Sequence, residues 1–215
     1  MKKYGYKSLE KKDKLTKKEV QEFWKNPIDR SKAENNQPIN YLKGSVRSEY
    51  LVKLIDQYLL QKYNSRILEV GCNVGRNLNF LHAAGYTDLV GIEINEKAIA
   101  LMRTAYPDLD AFIFKSSIED VLPGIESDSY DLIFTMAVLE HIHYESDFIF
   151  FEIARISKKY IITIEDEITE WSERHFPRNY KKVFENGEWK QVYGINGAEL
   201  GFLDDRFWVR VFKRE

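Results

Sequence analysis

From Arg66 onward, short apolar runs of β type alternate with stretches of helical periodicity. The strand candidates cover residues 67–70, 89–92, 111–114, 132–135 and 160–164, with two later ones at 190–193 and 207–212. Helical stretches lie between them at 77–84, 96–105 and 148–156. This alternation predicts an α/β fold, in which a mostly parallel sheet carries helices on both faces.

Composition narrows the class of protein. A chain of 215 residues with 44% hydrophobic residues can bury a substantial core. Its net charge of −2 gives no general attraction to nucleic acid or to acidic membranes. The single cysteine excludes an intramolecular disulfide and fits a reducing compartment. Because no apolar run reaches the length of a membrane span, we expect a cytoplasmic protein without a membrane partner, and the oligomeric state stays open.

Residues 1–44 differ from the rest and are interpreted as a Lys-rich arm with a lid helix, whereas residues 45–215 form the main domain. Thr16 and Glu19 have the spacing of a capping box, which predicts a helix that ends near Pro27. The polar stretch 29–38 is typical of a linker. Ser45 is expected to cap a second helix whose apolar face extends to Leu59.

The segment that directly follows the first strand carries most of the chemical information. Gly71 and Gly75 allow a tight turn and a close approach of a ligand to the backbone, and the following helix offers unpaired N–H groups. A dinucleotide fingerprint needs glycine at the first, third and sixth positions. Here Asn73 and Arg76 occupy the last two, which argues against NAD.

This segment resembles the first motif of the class I S-adenosylmethionine-dependent methyltransferases, in particular the small-molecule, type 11-like branch. Glu69, Gly71 and Gly75 match the motif, and Asn73 stands where a central glycine is usual. Asparagine enters left-handed backbone geometry more easily than most residues, so the turn is still expected to form. The resemblance implies a Rossmann-like sheet of seven strands with the last one antiparallel, and S-adenosyl-L-methionine as cofactor with S-adenosyl-L-homocysteine as product.

Three further motifs extend the resemblance. Glu93 ends the second strand, where the family places a carboxylate that binds both ribose hydroxyls. Ser117 and Ile118 occupy the loop that contacts the adenine. The fourth strand would place Met136 beside the methionine part of the cofactor. The implied cofactor-binding set comprises Glu69, Gly71, Cys72, Asn73, Gly75, Arg76, Asn77, Glu93, Ile94, Ser117, Ile118, Glu119, Thr135, Met136, Ala137 and His141.

His141 is also a candidate general base, because imidazole takes up a proton near neutral pH. Its alternative role is to position the loop or the cofactor. His141 and His143, with Glu140 and Glu145, raise the possibility of a metal site. Alternate residues share a face only in a strand, and this segment has the pattern of a helix start, so no metal is expected. Cys72 is interpreted as a packing residue rather than a nucleophile.

The expected function is transfer of a methyl group to an oxygen or nitrogen atom of a small polar metabolite, sugar or natural-product precursor. The candidate substrate-binding residues are aromatic, imidazole and guanidinium side chains outside the core motifs: Tyr41, Arg47, His175, Arg178 and Tyr180. Two alternatives stay open: an RNA or protein methyltransferase, and a non-catalytic regulatory protein that binds S-adenosylmethionine. The balanced charge disfavours a nucleic-acid partner.

Overall fold

A computed structural model describes residues 14–27, 36–170 and 172–215. Residues 1–13, most of the expected linker and Trp171 lie outside the described residues. The strands are β1 (Arg66–Val70), β2 (Asp88–Glu93), β3 (Phe112–Lys115), β4 (Tyr130–Met136), β5 (Ser157–Asp166), β6 (Trp189–Asn196) and β7 (Phe207–Arg214). They form one sheet in the order β3-β2-β1-β4-β5-β7-β6. Strand β7 runs antiparallel to both β5 and β6, and the other pairings are parallel, which confirms the predicted fold class.

The described helices are α1 (Lys17–Lys25), α2 (Val46–Asp56), α3 (Arg76–Ala83), α4 (Glu96–Ala105), α5 (Ile118–Val121), α6 (Phe148–Ile156), α7 (Tyr180–Phe184) and α8 (Gly197–Leu200). The predicted capping box at Thr16 and Glu19 is present at the start of α1. Helices α4 and α6 have the predicted bounds, and none of the described helices is long and apolar enough to cross a membrane.

Two local predictions need correction. The Ser45 side chain makes no capping hydrogen bond, because its backbone is already helical whereas a capping residue is extended. Helix α2 also ends at Asp56, before Leu59, although Leu59 is still buried. A 3-10 helix, Pro38–Leu42, begins at the last residue of the expected linker. This residue is a proline, whose fixed φ suits a first helical position.

Apolar side chains pack against both faces of the sheet. Leu51, Leu78 and Met102, from α2, α3 and α4, belong to one core, and Ile149 and Ile153, from α6, belong to the other. Alternate residues of the central strands supply both cores, as the period of two along a strand requires. Parallel strands β1 to β5 therefore present their carboxyl ends at one edge of the sheet, where ligands bind in open α/β folds.

Candidate active site

The turn after β1 is held in left-handed backbone geometry at three alternate positions. Gly71, Asn73 and Gly75 have φ of 73°, 48° and 67°. The expectation that Asn73 adopts the geometry of the usual glycine is therefore confirmed. A Cβ at Gly71 would lie 2.7 Å from Val138 Cγ2, and one at Gly75 would lie 2.7 Å from Met102 Cγ, so both positions also need glycine for space.

A buried polar network starts at Glu69, inside the carboxyl end of β1. Asn77 Nδ2 donates to Glu69 Oε1 at 2.8 Å, and Ser48 Oγ donates to Asn77 Oδ1 at 2.7 Å. Arg76 donates to Ser48 Oγ and to the carbonyl oxygens of Tyr41 and Lys43, which ties the segment before α2 to the turn. Glu69 Oε2 is buried without a hydrogen bond, and burial raises the pKa of Glu69 to about 8.

Glu93 is the second buried carboxylate, at the end of β2. Its two oxygens accept hydrogen bonds from the backbone N–H groups of Asn73 and Asn95, both at 2.7 Å. These bonds fix the carboxylate and lower its pKa, but desolvation is larger and the pKa is raised from its ordinary value. Each carboxylate oxygen can accept a second hydrogen bond, so both can still receive ligand hydroxyls.

The loop after β3 begins helix α5. Ser117 Oγ accepts from the backbone N–H of Asp120 and donates to Asp120 Oδ2, so this hydroxyl acts as the helix cap. Ile118 presents an apolar side chain to the same region, and Ser146 Oγ donates to Glu119 at 3.0 Å. The capping role of Ser117 accounts for both of the hydrogen bonds that its side chain makes.

The loop after β4 carries a local conformation that an alanine seldom adopts. Ala137 has φ of 55°, and its N–H donates to Ile164 O in β5 at 2.9 Å. Glu165 Oε2 accepts from the N–H groups of Val138 and Leu139, at 2.9 Å each. A left-handed non-glycine residue is strained by roughly 1–2 kcal/mol, and these bonds to β5 hold it there.

His141 follows in the 3-10 helix Leu139–His141. Its Nδ1 lies 3.1 Å from Arg174 O, and because a carbonyl only accepts, Nδ1 carries the hydrogen and Nε2 is the basic atom. The imidazole ring packs between Trp24 and His175, with centroid distances of 4.6 Å to each. Burial lowers the pKa of His141 to about 3, so its ring is neutral near neutral pH.

These elements enclose a cavity of about 550 Å³ at the carboxyl edge of the sheet. Most of the predicted cofactor-binding residues line it, and the exceptions are Gly75 and Thr135. Gly75 sits behind the turn against Met102, and Thr135 is fully buried in β4. Tyr41 and Arg47 of the predicted substrate set also line the cavity.

The other three predicted substrate-binding residues do not line it. Arg178 donates to Ile142 O and Phe176 O and pairs with Asp147 Oδ1 at 2.5 Å, so its guanidinium holds the loop after β4 to the segment before α7. Tyr180 is fully buried. His175 reaches the site only through its contact with the His141 ring.

Several wall residues could not be predicted from local motifs. Val20 and Gln21 of α1 line the cavity beside Trp24, and Phe202 reaches it from the loop after α8. Helical periodicity indicated the apolar face of α1, and the segment was expected to act as a lid, but the pattern did not single out Val20 and Gln21 as wall residues. Phe202 lies in no motif, and only the three-dimensional fold brings it to the site.

Comparison with known proteins agrees with this geometry. Residues 68–160 match the family model described as Methyltransferase domain. No curated protein matches the chain. Among solved structures, the chain is similar to magnesium protoporphyrin IX methyltransferase from Synechocystis PCC 6803 with bound SAH, at 13% identity and a TM-score of 0.68 over 93% of this chain and 99% of that chain.

Two other solved structures show the same architecture. One is an S-adenosylmethionine-dependent methyltransferase from Mesorhizobium loti, at 13% identity and a TM-score of 0.62 over 78% of this chain and 98% of that chain. The other is the [4+2]-cyclase SpnF, at 11% identity and a TM-score of 0.61 over 77% and 80%. At such low identity these similarities show the fold alone, and a fold can carry different chemistries.

The strand order and the glycine turn beside a carboxylate-lined cavity describe an α/β protein with a ligand cavity at the carboxyl ends of its parallel strands. With the family model that residues 68–160 match, they show that the chain carries a domain of the methyltransferase type, with the fold of S-adenosylmethionine-dependent methyltransferases.

Proposed function

We propose that this protein binds S-adenosylmethionine in the 550 Å³ cavity and transfers its methyl group to a small polar molecule. One observation carries the proposal: two buried carboxylates, Glu69 and Glu93, face the same cavity from the ends of neighbouring strands. A ligand with a cationic amine and a pair of adjacent hydroxyls matches two such acceptor groups. The similar Synechocystis enzyme has been crystallised with SAM and with SAH.

The remaining proposed contacts rest on the resemblance to the family, and the residues concerned line the cavity. Glu93 would accept the ribose hydroxyls, and Ile94, Ser117 and Ile118 would enclose the adenine. Glu69 would accept from the amino group of the methionine part. The backbone of the glycine turn and the side chains beside it complete the proposed site: Gly71, Cys72, Asn73, Arg76, Asn77, Glu119, Met136, Ala137 and His141.

In this reaction the cofactor supplies an activated methyl group on a sulfonium. The protein therefore has to align the acceptor and exclude water. Trp24 and Tyr41 line the cavity and would limit the access of water to the bound reactants. His141 forms part of the wall, and the hydrogen bond of its Nδ1 to Arg174 O fixes the ring. If the acceptor must lose a proton, His141 Nε2 is the basic atom that this ring offers.

The acceptor would bind at the end of the cavity formed by the segments before α3 and by the loop after α8. Here aromatic rings of Trp24, Tyr41 and Phe202 lie with the cations Lys43 and Arg47. The guanidinium of Arg47 also lies 5.6 Å from the Phe207 ring. Aromatic rings beside cationic side chains suit a flat acceptor that carries a carboxylate or a phosphate, methylated on oxygen or nitrogen. Residues 1–44 would then act as the lid of the domain formed by 45–215.

The test is a screen with S-adenosylmethionine labelled in its methyl group and a panel of anionic and neutral small molecules that carry hydroxyl or amino groups. We expect labelled product from an anionic acceptor. Arg47→Met should raise the KM for that acceptor with unchanged cofactor affinity. Lys53→Met, an exposed position on the same helix, is the control and should behave like wild type. Cofactor binding without product from any acceptor class would favour the regulatory alternative.

A further inference from the structure

Two imidazoles and a buried carboxylate converge behind the cavity wall. Glu140, His141 and His175 each offer one donor atom, and these atoms lie within 4.8 Å of one another. His141 Nε2 is 3.8 Å from Glu140 Oε1, and the two imidazole rings have centroids 4.6 Å apart. Glu140 and His141 belong to the loop after β4, whereas His175 belongs to the segment between β5 and α7. Two segments that are distant in sequence thus bring nitrogen and oxygen donors to one point.

The outer hydrogen bonds orient these donors toward each other. His141 Nδ1 donates to Arg174 O, which leaves Nε2 with its lone pair on the side of Glu140. Glu140 Oε2 accepts from the backbone N–H of Asp166, and the Glu140 carboxyl also shares a hydrogen bond with the Glu165 side chain. Metal-ligating histidines almost always donate their other ring N–H to a carbonyl or carboxylate, and ligating carboxylates are themselves hydrogen-bonded. Both features are present here.

The charges around the cluster are of both signs. The carboxylates of Glu165 and Asp166 lie near Glu140, and Lys14, Arg174 and Arg206 lie near His175. Burial lowers the pKa of both imidazoles, and neutral imidazole is the ligating form. Burial also raises the pKa of Glu140 well above its ordinary value, so a bound ion would displace a proton from that carboxyl.

We propose that Glu140, His141 and His175 form a binding site for a divalent ion of the zinc type. Two imidazoles with one carboxylate are a known zinc ligand set, and they disfavour magnesium and calcium, which require oxygen ligands. In a tetrahedral zinc site with ligand distances of about 2.1 Å, two donors lie about 3.4 Å apart, so a pair separated by the full 4.8 Å must close by about 1.4 Å. Side-chain rotation has to supply that movement.

The proposal has a consequence for the cavity wall. A bound ion would tie the loop after β4 to the segment around His175, in addition to the hydrogen bond from Phe176 N to Glu140 O at 2.6 Å. It would also occupy His141 Nε2, so that this atom would not accept a proton from the acceptor. A fourth position on the ion would be filled by water.

Zinc titration of the full chain tests the site, after removal of purification tags and dialysis against a chelator. We expect one zinc ion per chain by calorimetry and by metal analysis. His175→Gln and Glu140→Gln should each weaken zinc binding about tenfold or more, as loss of a ligand does at minimum. His143→Gln is the matched control: His143 lines the cavity next to the cluster but its Nδ1 accepts from Glu145 N, so zinc affinity should not change.

Binding of cobalt gives a second test of the site, and this test needs no variant. Cobalt bound by two nitrogens and an oxygen at a four-coordinate site should show intense visible absorption, and zinc should displace it. A folded wild-type chain, checked by circular dichroism, that binds no zinc ion would overturn the proposal. Equal zinc affinity in wild type and folded His175→Gln would do the same, and would leave the two rings as packing partners.

Discussion

Replacing Gly71 by alanine tests the geometry of the turn most sharply. The new Cβ would lie 2.7 and 2.8 Å from the two Cγ atoms of Val138, well inside the usual carbon–carbon separation of about 3.5–4.0 Å. Overpacking of this kind destabilises by about 1–3 kcal/mol. The left-handed φ of 73° adds about 1–2 kcal/mol for a residue with a Cβ. We therefore expect Gly71→Ala to lower the free energy of unfolding by about 2–5 kcal/mol.

Gly44→Ala separates the two contributions. Gly44 has a similar φ of 82°, but a Cβ there would meet nothing within 4 Å, so only the strain of about 1–2 kcal/mol should appear. The double variant Gly71→Ala/Val138→Ala lacks the two Val138 methyl groups that the new Cβ would meet. Its loss of unfolding free energy should therefore be about 1–3 kcal/mol smaller than the sum of the losses in the two single variants. Denaturant unfolding measures the free energy of unfolding of Gly71→Ala, Gly44→Ala, Val138→Ala and the double variant. Equal destabilisation at Gly71 and Gly44, with no coupling to Val138, would refute the close contact.

Three other substitutions test the buried polar network around Glu69 and the loops that Arg178 joins. Burial raises the pKa of Glu69 to about 8, so below pH 4.5 the carboxyl is protonated in both the folded and the unfolded chain. As pH rises from 4.5 toward 8 the unfolded chain loses this proton first, and the free energy of unfolding falls. Unfolding of Glu69→Gln should therefore show a relative gain in stability over that range, while calorimetry shows weaker cofactor binding. Ser48→Ala leaves Asn77 Oδ1 without its donor and should lower the unfolding free energy by about 1–3 kcal/mol. Arg178→Ala should lower it by about 2–4 kcal/mol in urea, with cofactor affinity unchanged, since Arg178 holds loops together outside the cavity. A large loss of cofactor affinity in Arg178→Ala would contradict that placement.

Local sequence patterns were sufficient for most of the fold. Helix α4 was predicted to its ends, and in the structure the side chain of Asn95, two residues after β2, caps it. The glycine turn was predictable because its geometry depends on residues within a few positions of each other. Asn73 departs from the usual motif without changing the turn, since its φ of 48° lies where asparagine is tolerated.

The cavity wall depended on contacts that no local pattern encodes. Arg178 and Tyr180 have side chains typical of a binding site, yet neither lines the cavity: Tyr180 is fully buried, and the partly buried Arg178 donates to Ile142 O and Phe176 O. His175 was predicted as a substrate ligand, and in the structure its ring contacts the His141 ring. His143, which the sequence grouped with His141 in the metal alternative, caps a turn. Long-range packing places these side chains, so spacing along the chain could not.

Calorimetric titration of S-adenosylhomocysteine into wild type and Glu93→Ala tests the central claim most directly, because Glu93 is held by two backbone N–H groups at the edge of the cavity. We expect one binding site in wild type. Loss of a charged acceptor for two hydroxyls should weaken affinity in the variant by at least tenfold, or about 1.4 kcal/mol. Folded wild-type protein that releases no heat of binding, or a Glu93→Ala chain that binds as tightly as wild type, would contradict the account.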